Sequence, residues 1–127
     1  MKEIINAPEA PAPIGPYSQA VKFGNALYVS GQIPIDQSTG NLISGSIEDE
    51  TEQVMKNLDF ILSEAGLDFS NVLKCSIFIK DMNDFGKINA VYGTRFPNNP
   101  PARETVQVSE LPKGVNVEIS CIAGFNS

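Results

Sequence analysis

The stretch IEDETEQVMKNLDFILSEAG, residues 47–66, constrains the fold more than any other part of this chain. Ile47, Val54, Met55, Leu58, Ile61, Leu62 and Ala65 recur at helical spacing, which predicts an amphipathic helix with one apolar face. Ser46 stands at the N-cap with Asp49 at its third position, Glu48, Glu50 and Glu52 crowd the electropositive start, and Gly66 supplies the stop. The acidic outer face reads as solvated surface. A one-sided helix must be covered, and the flanking segments alternate like strands rather than helices.

Before it, AVKFGNALYVSGQ reads as two strands around Gly24-Asn25, a pair suited to a two-residue type II′ turn. After it, NVLKCSIFIKD sets Leu73, Cys75, Ile77 and Ile79 against Lys74, Ser76 and Lys80, a half-buried strand with Phe78 as the exception. A second helix is expected from about Asp81 to Arg95, burying Met82, Phe85, Ile88, Val91 and Tyr92, with Arg95 near its negative end. RETVQV and GVNVEISCIAG, joined by SELPKG, complete the chain as two further strands. The order β-β-α-β-α-β-β puts both helices on one face of a mixed sheet, an α+β domain spanning residues 1–127. Apolar residues on the uncovered face would call for another subunit.

Charge and composition exclude several functions. A net charge of −6 and seven scattered lysines disfavour nucleic acid as partner, since phosphate binding needs clustered cations. No run approaches the roughly 18 apolar residues of a membrane span, and MKEIINAPEAP lacks a signal-peptide core, so a soluble cytoplasmic protein is expected. Cys75 and Cys121 lack CxxC spacing and histidine partners, so no metal site is expected and both read as small core residues. With no histidine at all, Ser-His-Asp and Cys-His catalysis are excluded.

The chemistry-bearing residues gather near the C-terminus. If Val106 and Val108 face the core with Val117 and Ile119, alternation sends Arg103, Thr105 and Gln107 to the other face with Asn116, Glu118 and Ser120. Antiparallel pairing of the two last strands would then set Thr105 opposite Glu118 and Arg103 on the diagonal, about 7–8 Å away. Two readings are open: a solvated cross-strand ion pair worth about 0.2–1 kcal/mol, or a carboxylate-binding site if another subunit encloses the face. Tyr17, Ser18 and Gln19 in IGPYSQAV read as turn and edge residues, and VSGQ as a strand ending in a glycine bulge.

Taken in order, GPYSQAV, LYVSGQIPID, NLDFILSEAG, INAVY, PPAR and LPKGVNVEI resemble the RidA/YjgF family of enamine/imine deaminases across nearly the whole chain. The resemblance implies a chorismate-mutase-like α+β subunit, a homotrimer whose sheets line a central barrel, and ligand clefts between neighbouring subunits. It implies hydrolysis of 2-enamines and 2-imines, released by pyridoxal-phosphate enzymes, to 2-keto acids and ammonia, with no metal or organic cofactor. By the same resemblance Arg103 clamps the substrate carboxylate and Glu118 orients the attacking water, while Tyr17, Ser30, Gly31, Asn89 and Thr105 line the cleft. A protonated imine is already electrophilic, so a held carboxylate, a water and a proton shuttle suffice.

The chain departs from the familiar pattern at Thr105, where cysteine is frequent, at Glu50, where glutamine is, and at Glu104, where serine is. Thr105 still offers a hydroxyl for hydrogen bonding but no thiol chemistry. Beside the deaminase stand two other functions: a regulatory module that binds a 2-keto acid or amino acid without turnover, and an endoribonuclease or translation inhibitor, which the charge and the missing histidine disfavour.

Overall fold

The computed structural model describes residues 1–126. Among the described residues eight strands and two α-helices run β1 (Glu3–Ile5), β2 (Ala20–Phe23), β3 (Ala26–Gln32), β4 (Ile35–Asp36), β5 (Asn41–Leu42), α1 (Ile47–Glu64), β6 (Val72–Ile79), α2 (Phe85–Gly93), β7 (Ala102–Gln107) and β8 (Val117–Gly124). The β-β-α-β-α-β-β backbone is present, with β1 added as an edge strand and β4–β5 as a small separate hairpin. No helix is long and apolar enough to cross a membrane among the described residues.

Local chemistry accounts for most of these elements. The Ser46 side chain accepts the Asp49 amide at 3.0 Å, and Gly66 ends α1 at φ 78°, a conformation that strains any other residue. Gly24 lies at φ 61° in the two-residue turn between paired Phe23 and Ala26, with Asn25 at negative φ as type II′ requires. The second helix is shorter than expected. A separate 3-10 turn over Met82–Asp84 precedes it, only Ile88 and Tyr92 are buried, and Met82 and Phe85 reach solvent. Arg95 lies beyond α2, and its guanidinium grips Glu52 of α1 at 2.6 and 3.3 Å. That hydrogen bond and the adjacent charge hold the Glu52 carboxyl below its ordinary pKa.

The strand pairing corrects the expected C-terminal hairpin. The six-stranded sheet runs β1-β2-β3-β8-β6-β7, so β6 separates β7 from β8. β7 is parallel to β6, with Cys75 beside Arg103 and Ile77 beside Thr105; β8 is antiparallel to β6, with Phe78 beside Glu118. The helix between β6 and β7 is the physical reason, because a strand-helix-strand crossover delivers its second strand parallel to the first. The residues between β7 and β8 then carry the chain past the end of β6.

Both helices pack on one face of this sheet. There Leu27, Val29, Cys75, Ile77, Ile79, Val117, Ile119 and Cys121 meet Val54, Met55, Leu58, Ile61 and Leu62 of α1 in one apolar cluster. Burial pushes both thiol pKa values up, which leaves Cys75 and Cys121, direct neighbours across β6 and β8, as core residues. Three polar side chains are buried, among them Gln19, expected at an edge, and Glu50, expected on the acidic outer face of the helix. Asn57 donates to the Ile33 and Ile35 carbonyls at 3.0 Å and ties α1 to the corner after β3. Gln19 bonds the Ala7 amide and the Ala7, Ala10 and Pro11 carbonyls, pinning the N-terminal segment. Glu50 accepts the Asn116 amide at 3.2 Å and its side-chain amide at 2.8 Å, which draws Asn116 toward α1 rather than the uncovered face. Leu73 is exposed as well, because the β6–β8 register shifts between Val72 and Lys74.

Candidate active site

The register decides which candidate residues share a face. Arg103, Thr105 and Gln107 of β7 lie beside Cys75, Ile77 and Ile79, whose side chains are all buried under the helices. Glu118 lies beside Phe78, whose other neighbour is Val106, and these alternate to the uncovered face. Arg103 and Glu118 therefore occupy opposite faces of the sheet. Among the described residues they form no ion pair, and Val106, expected in the core, is 42% exposed.

On the helix side, Arg103 reaches toward α2. Its Nη1 donates to Asn89 Oδ1 at 2.6 Å, and the guanidinium carbon lies 5.0 Å from the Tyr92 ring centre and 5.5 Å from that of Phe85. No carboxylate pairs with it among the described residues. Thr105 Oγ1 and the Tyr92 hydroxyl are buried without hydrogen-bond partners. The feature sequence reasoning missed is Tyr92, which it placed only in the core. The signal was the spacing of Phe85, Asn89 and Tyr92 at i, i+4 and i+7, one helix face.

On the other side, Tyr17, Ser30, Gly31 and Glu118 line one cleft of about 310 Å³, completed by Ile14, Ile33 and Pro112. The β3–β8 pairing is irregular between Val29 and Gln32, so Ser30 and Gly31 sit in a bulge, as VSGQ foretold. The bulge is braced: Ser30 Oγ donates to the Ser18 carbonyl at 2.6 Å, and the Ser30 amide donates to the Gln19 carbonyl at 2.9 Å. The Tyr17 hydroxyl accepts the Ile14 amide at 3.2 Å. Glu118 lies so close over Gly31 that a Cβ there would come within 2.7 Å of its carboxyl. Burial alone raises the Glu118 pKa, with no cation to offset it. No cluster of three potential metal-ligating side chains occurs among the described residues.

Comparison with known proteins gives the family and the fold. Residues 7–125 match the family model described as endoribonuclease L-PSP, which covers the RidA/YjgF and RutC proteins. The chain belongs to the RidA/YjgF family. A RutC family protein of Pyrococcus horikoshii is 52% identical over 97% of this chain and 98% of its own length. The 2-iminobutanoate/2-iminopropanoate deaminase of Mus musculus is 47% identical over 97% of this chain and 91% of its own. The crystal structure of E. coli TdcF with bound serine superimposes with a TM-score of 0.92 at 38% identity, covering 98% of this chain and 99% of that one. The α+β fold of the RidA/YjgF family is thus the fold of this chain, two helices against a mixed six-stranded sheet.

Proposed function

We propose that this protein hydrolyses 2-imino and 2-enamino acids to 2-keto acids and ammonia, in clefts that two copies of the chain build together. The observation that carries the reading is the division of the chemistry: a guanidinium without a carboxylate on one face, and a carboxyl with a raised pKa on the other. No small molecule spans a sheet, so the two groups act on one substrate only if they come from different copies. Arg103 of one copy clamps the substrate carboxylate by paired hydrogen bonds, with Asn89 and Thr105 beside it. Glu118 of the neighbouring copy, in the cleft of Tyr17, Ser30 and Gly31, takes a proton from water as it adds to the imine carbon. The tetrahedral adduct then receives that proton at nitrogen, its carbon–nitrogen bond breaks to release ammonia, and the hydroxyl proton passes to Glu118 and on to solvent, leaving the keto acid.

Tyr28, 50% exposed, and Val106 on the uncovered face support closure by further copies, and a homotrimer with these faces around a shared barrel is the assembly we propose. The deaminase name carried by relatives near 47% identity supports the activity. A second reading, ligand binding without turnover, is favoured by the serine held in E. coli TdcF. Ribonuclease action has the family description in its favour, but the −6 charge and the missing histidine oppose it.

The test is the decay of 2-aminocrotonate, generated in place by a threonine dehydratase, with no added protein, with wild type and with Arg103→Ala. Acceleration by wild type alone is the expected result. A folded wild type that leaves the decay unchanged removes the deaminase reading for this substrate and turns attention to binding.

A further inference from the structure

The arginine on β7 is seated on aromatic rings rather than on an acid. Phe85 and Tyr92 present their rings 5.5 and 5.0 Å from the Arg103 guanidinium carbon, and Asn89 between them accepts one of its N–H groups at 2.6 Å. The Tyr92 ring is itself braced, 4.8 Å from Phe96, which meets Phe69 edge-on at 5.5 Å. Burial pushes the Tyr92 phenol pKa up, with the Cys75 thiol beside it, so the ring stays neutral and supplies no anion to compete for the arginine. A neutral seat fixes a guanidinium in position while leaving its charge for an incoming anion. A carboxylate seat would neutralise it.

We infer that Tyr92 is a positioning residue that, with Phe85, seats the Arg103 guanidinium for a substrate carboxylate. This rests on the reading of Arg103 as the carboxylate clamp. The ring rather than the hydroxyl does the positioning, because the guanidinium hydrogen-bonds Asn89 and the hydroxyl makes no hydrogen bond to it among the described residues.

The experiment is calorimetric titration of the purified full chain with 2-oxobutanoate, for wild type, Arg103→Ala, Tyr92→Leu, Tyr92→Phe and Phe85→Leu, with turnover kinetics alongside. Tyr92→Leu weakens binding about tenfold and Phe85→Leu about threefold, the scale of a lost cation–π contact, while Tyr92→Phe restores affinity to within about twofold. In kinetics Tyr92→Leu raises KM and leaves kcat within about twofold, since a clamp binds ground and transition states alike. A general loss of structure would lower kcat as well.

A folded Tyr92→Leu that binds as wild type does overturns the inference, and so does a Tyr92→Phe as weak as Tyr92→Leu, which would assign the effect to the hydroxyl. If Tyr92→Leu does not fold, Phe85→Leu decides, because that ring lies at the solvent edge. If wild type binds nothing, or Arg103→Ala binds as well as wild type, the clamp falls and the seat falls with it. Binding that follows the expected order without any turnover leaves the seat standing and removes only the deaminase reading.

Discussion

Gly31 shows how closely single residues are matched in the cleft. Its φ is not in the left-handed region, so alanine suits the backbone, yet the new Cβ would meet the Glu118 carboxyl at 2.7 Å. The end of a glutamate side chain can swing away, so Gly31→Ala is expected to fold normally and lose roughly 10²-fold in turnover, the cost of a misplaced reacting group. Circular dichroism beside the decay assay checks both halves. Arg103→Ala should lower activity by about 10²-fold or more while the melting temperature holds, because the residue is exposed and outside the core. Glu118 carries a pH prediction. Its pKa in the fold lies above the ordinary 4.5, so between those two values the folded protein binds the proton more tightly than the unfolded chain, and stability falls as pH rises. Glu118→Gln should therefore melt higher than wild type at pH 7, with the gap closing toward pH 4, while turnover is lost. A gap that widens toward acid would mean that the carboxylate is stabilised in the fold instead.

At the scale of elements, α1 supports the site without entering it. Its buried Asn57 satisfies the Ile33 and Ile35 carbonyls in the corner between β4 and β3, the strand that holds Ser30 and Gly31. Asn57→Ala strands both carbonyls and opens a cavity, which should cost about 2–4 kcal/mol in urea unfolding. The α1 pattern was plain in the sequence because its apolar spacing, cap and stop all agreed. The pairing of β7 was misread because alternation reports which residues share a face of one strand, not which strand lies next door. A helix between β6 and β7 does imply a crossover with parallel strands, yet it leaves open which strand lies beside β7. Gln19, Asn57 and Glu50 were invisible for a different reason. Their partners are backbone groups or an amide far along the chain, at separations of up to 66 residues, and no local pattern announces such contacts.

At the scale of the molecule, two half-sites on opposite faces predict complementation. Arg103→Ala and Glu118→Gln subunits, each inactive alone, should regain activity when unfolded together and refolded as a mixture. In a randomly mixed cyclic assembly about a quarter of the clefts combine an intact arginine with an intact glutamate, so roughly a quarter of wild-type activity is expected. Light scattering on wild type should give three chains per particle. Mixed subunits that remain inactive, in an assembly shown to have exchanged, would mean that the two residues do not share a cleft.

The sequence by itself determined the α+β class, the long helix and its cap, the two-residue turn at Gly24, the bulge at Ser30 and Gly31, the burial of both cysteines, and the motifs that mark the RidA/YjgF family. These follow from periodicity, turn chemistry and short patterns, which are properties of neighbouring residues. Only the tertiary structure decided that β6 lies between β7 and β8, that Arg103 and Glu118 face opposite ways, and that Tyr92 lies against the guanidinium. Those depend on which strands become neighbours, and a one-strand change in pairing order redistributes side chains between faces without altering a single local pattern.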